Sequence, residues 1–270
     1  MSPPPFLVFL HIEKTAGTTL YGALRRALSG YQRIERIADD ANPSFDGHLP
    51  GNYVQKVLEE FPSLNGIGGH PLRAWSDYSG CLRQPFFFTL LRNPVDRFLS
   101  HFFHQRERKG FPWTLKEYLR DGRFSNVMCR RLCGKEDANE AKRIVQNFEI
   151  QIGLAENFDI SFQRLLVSLR DFGLPVLIPP AYRSRNMRKG LADAHEKVEQ
   201  DRWGEEIRYA NAEDQVLYDW AVEMQPTALP PMLQPASELA CLGRRIGNKV
   251  TRLRFRPWEA RNRKALGGIA

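Results

Sequence analysis

One pattern, occurring twice, constrains this chain most: a short apolar run, a short polar turn, and then an amphipathic stretch with helical spacing. The first copy is Phe6 to Leu10, followed by the turn from His11 and by Leu20, Leu24, Ala27 and Leu28, with Gly30 where a helix would stop. The second is Phe86 to Leu91, followed by Arg92, a capping Asn93, Pro94 at a first helical position, and an apolar stripe of Val95, Phe98, Leu99, Phe102 and Phe103 that ends at Gly110. A short run apolar at every position fits a buried helix or a strand covered on both faces, and the turn with its following helix favours the strand. Parallel strands need helical crossovers, so the alternation predicts an α/β fold of three layers, a central parallel sheet flanked by helices. Further strands are expected at 149–154 and 176–178. Helices are expected near 114–119, 157–170, 191–201 and 212–223.

A strand that turns directly into a helix aims backbone N–H groups and the positive end of the helix dipole at one point, which suits an anion. In Lys14-Thr15-Ala16-Gly17-Thr18-Thr19, Gly17 permits close approach, Lys14 supplies a charge and the three hydroxyls supply donors. The standard nucleotide loop is Gly-x-x-x-x-Gly-Lys-[Ser/Thr], whereas Lys14 precedes the only glycine here, so this is a P-loop-like variant. An ordinary turn with a solvated lysine fits as well. In the second copy, Asp96, Ser100 and His104 lie four apart on one helical face, so Arg92 and Ser100 can grip a second phosphate; a surface ion pair is the alternative for Arg92.

As a spaced pair the segments resemble those of carbohydrate sulfotransferases of the heparan sulfate 2-O-sulfotransferase type, including bacterial members. The resemblance covers His11 to Leu20, Leu91 to Ser100, Gly69-His70, Asn126 to Gly134, Ile152 to Asp159 and Asn211 to Tyr218, within about residues 6 to 224. It implies that Lys14 to Thr19 bind the 5′-phosphosulfate of 3′-phosphoadenosine 5′-phosphosulfate (PAPS), that Arg92 and Ser100 hold its 3′-phosphate, and that His70 is the general base. It also implies that the basic turn from Arg183 to Gly190, which contains Asn186, closes over the donor; a solvated loop is an equal alternative. The departures are Glu13, Ala16 and Asn93, where many members carry Pro, Gly and Asp. Strand alternation from Leu10 directs Glu13 away from Lys14, and a carboxylate facing the loop would weaken donor binding.

Sulfuryl transfer needs a base for the acceptor hydroxyl and a cation for the leaving phosphate. His70 lies in the glycine-rich stretch 65–71, read as an accessible loop, and Lys14 is the candidate cation. His11 reads as a packed strand-end histidine, His101 and His104 as residues of a solvated helix face, and His48 and His195 carry no signal. The scheme requires no metal, and Cys81, Cys129, Cys133 and Cys241 form no Cys-x-x-Cys pair, which disfavours a zinc site or a disulfide scaffold. The acceptor is read as a carbohydrate or glycolipid. Trp75, Tyr78, Phe111 and Trp113 suit either stacking on its rings or packing. The sequence does not identify the hydroxyl modified or the oligomeric state.

Residues 241 to 270 hold nine Lys or Arg against one acid, Glu259, and so carry the whole net charge of +8. The high pI therefore belongs to a tail and gives no reason to expect nucleic acid. The expected division is a domain over 1–224 and a proline-rich link with a basic tail over 225–270. That tail reads slightly better as disordered than as a segment lying on anionic lipid or glycan. Without a basic n-region or a spanning apolar stretch near Met1, a cytoplasmic protein is expected, with peripheral contact at the inner membrane face as an option. Two other classes remain: a Mg-ATP-using P-loop kinase or NTPase, disfavoured because the second strand ends in Arg92 rather than an acid, and a non-catalytic glycan-binding protein.

Overall fold

A computed structural model describes residues 5–34, 48–81, 83–179, 191–231 and 233–266. The chain begins β1 (Pro5–Leu10), α1 (Gly17–Ala27), β2 (Tyr31–Arg33), α2 (Gly51–Glu60), β3 (Gly66–Gly69), β4 (Gln84–Leu91) and α3 (Pro94–Lys109). It continues α4 (Leu115–Arg120), α5 (Val127–Cys133), α6 (Ala138–Asn147), β5 (Gln151–Leu154), α7 (Phe158–Asp171), α8 (Leu191–Ala210), α9 (Ala212–Glu223) and α10 (Glu238–Leu266).

The five strands form one sheet in the order β2-β3-β1-β4-β5, and every pairing is parallel. β1 lies in the middle. Its Leu7 and Phe9 enter one core with Leu20 and Leu24 of α1 and Phe162 and Leu165 of α7. Its Phe6, Val8 and Leu10 enter a second core with Val54 and Val57 of α2 and Phe98 and Phe102 of α3. A strand that alternates between two cores must be apolar at every position, which is why the run is unbroken. The three-layer α/β expectation holds, and α3 starts as expected, with the Asn93 side chain accepting from the N–H groups of Val95 and Asp96 and Pro94 in the first turn.

The order has a functional consequence. From β1 the chain builds β2 and β3 on one side and then β4 and β5 on the other, so the carboxyl ends of β3, β1 and β4 stand side by side. Ligands of open α/β sheets bind at such a reversal.

Three expected elements need correction. The stretch read as a glycine-rich loop is in large part strand β3: a Cβ at Gly68 would lie 2.3 Å from the Tyr31 hydroxyl, and one at Gly66 3.0 Å from Leu7 Cβ. Those glycines serve close packing rather than flexibility. The expected strand at 176–178 is a single antiparallel bridge, Leu28 to Val176, and Pro175 beside it has no N–H to extend a ladder. The helix expected over 191–201 runs on to Ala210.

The basic tail, read as disordered, is the helix α10 docked on the domain. Cys241, Asn248, Phe255 and Glu259 are buried, and Phe255 and Trp258 pack on Phe61 after α2. Asn248 donates to the carbonyls of Arg25 and Leu28 at 3.0 and 2.9 Å and accepts from the Tyr31 N–H at 2.9 Å. It thus closes the end of α1 and satisfies an edge-strand donor that would otherwise lie buried and unpaired. Replacing Asn248 with alanine strips partners from two buried backbone groups and one half-buried one, and should lower the free energy of urea unfolding by about 2–3 kcal/mol. Exposed Lys249→Ala should change it by less than about 0.5 kcal/mol.

Candidate active site

Three adjacent strand ends deliver the predicted groups: His70 follows β3, the Lys14 turn follows β1, and Arg92 follows β4. At about 4.8 Å per strand spacing, the outer two strand ends are about 10 Å apart, the scale of a nucleotide's phosphates.

The turn after β1 is built to present donors. Lys14 and Ala16 both adopt left-handed backbone, with φ of 68° and 65°, which costs a non-glycine residue about 1 kcal/mol each. Ala16 gives α1 no side-chain cap, and no described backbone acceptor meets the N–H groups of Gly17 and Thr18. Uncapped donors on a strained turn suit an anion. The hydroxyls divide in role. Thr15 is fully buried and donates to the Ile12 carbonyl at 3.0 Å, so it pins the turn. Thr19 is buried, whereas Thr18 is half-buried. Arg92 donates to the Lys14 carbonyl at 3.2 Å and ties the second strand end to the first turn. It also lines an open cleft of about 590 Å³ with Val95, Asp96, Lys197, Gln200, Asp201, Gly204 and Arg208. Ser100 is half-buried, two turns into α3. Asn186 lies outside the described residues.

His11 joins the turn to His70. Its ring stacks on Phe9 and on His70, with ring centroids 5.3 and 4.0 Å apart, and its Nδ1 meets the Tyr21 hydroxyl at 3.1 Å. Burial, with His70 beside it, holds His11 well below the usual histidine range and so neutral. A Cβ at Gly17 would lie 1.9 Å from His11 Nε2. Gly17 therefore makes room for this ring, a reason beyond the close anion approach read from the sequence.

His70 is half-buried rather than a freely accessible loop residue. Its Nδ1 lies 2.9 Å from the His11 carbonyl oxygen. A carbonyl only accepts, so Nδ1 carries the proton and Nε2 keeps its lone pair. Burial pushes His70 down to about 4, against a smaller raising effect of Glu13, so the ring is neutral near pH 7.

Glu13 stands 3.5 Å from His70 Nδ1 and is gripped by Arg131 of α5, whose Nε donates to Oε2 at 3.0 Å and whose Nη2 donates to Oε1. Burial opposes ionisation of Glu13, but Arg131 and then His70 outweigh it, and the carboxyl is held well below the usual range. Its charge is thus matched by a guanidinium. Nothing in the order of the sequence pairs residues 13 and 131; the arginine lay unremarked inside the Asn126–Gly134 segment.

Other side chains depart from expectation. His101 is buried, its Nδ1 2.6 Å from the Tyr118 hydroxyl, and burial pushes it down to about 3. His104 is half-buried, so this face is not the solvated one expected. Phe111 and Trp113 pack against each other and Phe124. Trp75 instead lines a cleft of about 350 Å³ with His48, Arg73, Arg130, Gly134, Lys135 and Glu136. Arg73 also donates to the His70 carbonyl at 2.5 Å, so this cleft borders the candidate base. His48, without signal in the sequence, is one of its walls. Among the described residues no group of three or more His, Cys, Asp or Glu is arranged to hold a metal ion.

The parallel α/β sheet thus carries, at neighbouring strand ends, a first turn that bears Lys14 and lacks a side-chain cap, and a neutral histidine. A family model described as the Sulfotransferase family matches residues 1–159, more than half of the chain, and the chain belongs to that family. Heparan-sulfate 6-O-sulfotransferase 3-B of Danio rerio is 30% identical over 132 residues, covering 43% of this chain and 30% of that protein. Heparan-sulfate 6-O-sulfotransferase 2 of Gallus gallus is 29% identical over 132 residues, covering 43% and 31%. The match thus spans less than a third of either relative, and both are named for 6-O rather than 2-O transfer. A crystal structure of a sulfotransferase from Alicyclobacillus acidocaldarius aligns over 82% of this chain and 97% of that one, at 14% identity and a TM-score of 0.45, too distant a likeness to bear on the site.

Because the His11 ring is held on three sides, it cannot yield to a methyl group at residue 17. Gly17→Ala should cost about 1–3 kcal/mol in thermal or urea unfolding and displace His70 with His11. A shift of the His11 and His70 ring signals by NMR checks the second effect.

Proposed function

We propose that the protein transfers the sulfuryl group of PAPS to a hydroxyl of a carbohydrate acceptor. The observation that carries this reading is the bond from His70 Nδ1 to the His11 carbonyl, which leaves Nε2 as a proton acceptor beside an uncapped phosphate-type turn.

The side chains present fit such a donor. Lys14 and the N–H groups at the start of α1 suit its 5′ end, and Arg92 with Ser100 suits a 3′-phosphate, Arg92 already being braced by the Lys14 carbonyl. When bound, the donor supplies the activated sulfuryl group. His70 Nε2 takes the proton of the acceptor hydroxyl, and the His11 carbonyl keeps the ring in the required tautomer. Glu13, 3.5 Å from Nδ1, stabilises the imidazolium that results, while Arg131 keeps Glu13 ionised and oriented. Lys14 offsets charge that develops at the donor's 5′ end. The cleft holding Trp75 and Arg73 suits an acceptor sugar: an indole face stacks on a ring and guanidiniums bind its polar groups.

Adenosine 3′,5′-bisphosphate without metal should raise the melting temperature, and Mg-ATP should not; the reverse preference would sink the proposal. Arg92→Ala should weaken that binding at least tenfold, while His70→Ala should retain it and lose transfer by about 10²–10⁴-fold, checked with labelled donor and a panel of glycan acceptors.

The pH profile follows from His70. With its folded value at about 4, the base form persists well below the ordinary 6.5. Accordingly kcat/KM should stay level on acidification from about pH 7.5 to about 5.5 and fall about tenfold per unit below about 4. Between about 4 and 6.5 the unfolded chain binds the proton that the native chain refuses, so stability also declines as pH falls through that window.

A further inference from the structure

We infer that α10 holds the protein on an anionic lipid surface through its outward face. The inward face is occupied by Cys241, Asn248, Phe255 and Glu259, all buried against the domain. On the opposite side Leu239, Leu242, Ile246, Val250 and Leu253 are exposed, between 47% and 77%. They make up five of the eleven exposed large hydrophobic residues among those described. At 100° per residue they fall within an arc of about 80° and run about 21 Å along the helix. Such a stripe is unusual on a soluble surface and marks a contact.

The charges beside the stripe select the partner. Exposed Arg245, Lys249 and Arg252 border it on one side, and exposed Arg254 and Arg261 on the other. The acids of α10 are neutralised locally: Glu259 is buried and meets Arg256 at 3.4 Å, and Glu238 at the helix start meets Arg26 at 2.6 Å. Since residues 1–240 balance in charge, the positive field is concentrated on this helix. A second copy of the chain would bring like charges together. A polyanionic glycan would satisfy the arginines but leave five aliphatic side chains in water. An anionic bilayer surface meets both, with aliphatic side chains among the acyl chains and basic ones at the headgroups. No described helix is long and apolar enough to cross a membrane, so the geometry is of a helix lying on the surface.

The test uses the whole chain in vesicle flotation. Wild type should float with phosphatidylcholine vesicles containing about 30% phosphatidylserine, stay behind with phosphatidylcholine alone, and be released by high salt. The triple variant Ile246→Ser, Val250→Ser, Leu253→Ser should lose at least tenfold in partitioning. So should Arg245→Gln, Lys249→Gln, Arg252→Gln, at on the order of fivefold per charge. These residues are exposed, so circular dichroism and the melting temperature should not change. Three outcomes would each overturn the inference: no flotation of wild type with anionic vesicles, undiminished flotation of the serine variant, or a wild-type dimer that the serine substitutions dissociate with no vesicle binding. Because the first arm needs only wild type, a misfolded variant leaves the inference falsifiable.

Discussion

The site depends on the placement of one ring, that of His11. It fills the space left by the missing side chain of Gly17 on one side and stacks on His70 on the other, while its own carbonyl fixes the proton on His70 Nδ1. Its backbone N–H meets the Gly69 carbonyl, so the strand pairing of β1 with β3 continues directly into the site. The phosphate-type turn and the candidate base therefore cannot drift independently. Buried among aromatic rings, His11 stays neutral and is free to serve as a spacer.

Around this spacer the charges are arranged in a compensated series. A carboxylate as buried as Glu13 would ordinarily be costly, and losing either partner of such a pair costs about 3–5 kcal/mol. Arg131 makes it tolerable through two parallel hydrogen bonds, and the pair in turn faces the protonated nitrogen of His70. Arg131 comes from α5, so the helices between β4 and β5 are part of the site rather than mere cover. Asp214 of α9 extends the same logic, accepting from the N–H groups of Met128 and Cys129 at the start of α5 and so steadying the helix that carries Arg131.

The sequence was legible where local chemistry decides. The two apolar runs, the Asn93-Pro94 start of α3 and the Gly110 stop follow from burial on two faces, capping and left-handed backbone, and they appear as expected. It misled where a residue's local habit and its packing disagree. Glycines at 66–69 read as loop because their lack of a side chain suggests freedom; Tyr31, Leu7 and Ile34 crowd them into a strand instead. His101 read as solvent-facing from its polar neighbours, yet its partner is Tyr118 on the next helix. The tail read slightly better as disordered because nine basic residues follow a proline-rich link, and its order rests on a few well-spaced positions, above all Asn248 and Phe255.

By itself, then, the sequence determined that this chain builds parallel strand-turn-helix units, that two of the turns suit phosphate groups, and that a histidine lies between them, since these follow from patterns confined to a few consecutive residues. Only the tertiary structure decided that β3, β1 and β4 are neighbours, that Glu13 is answered by Arg131, that His70 presents Nε2, and that α10 turns an apolar basic stripe outward. Each of those joins residues tens to hundreds of positions apart, and strand order, side-chain burial and shared hydrogen bonds, which no local pattern encodes, set them.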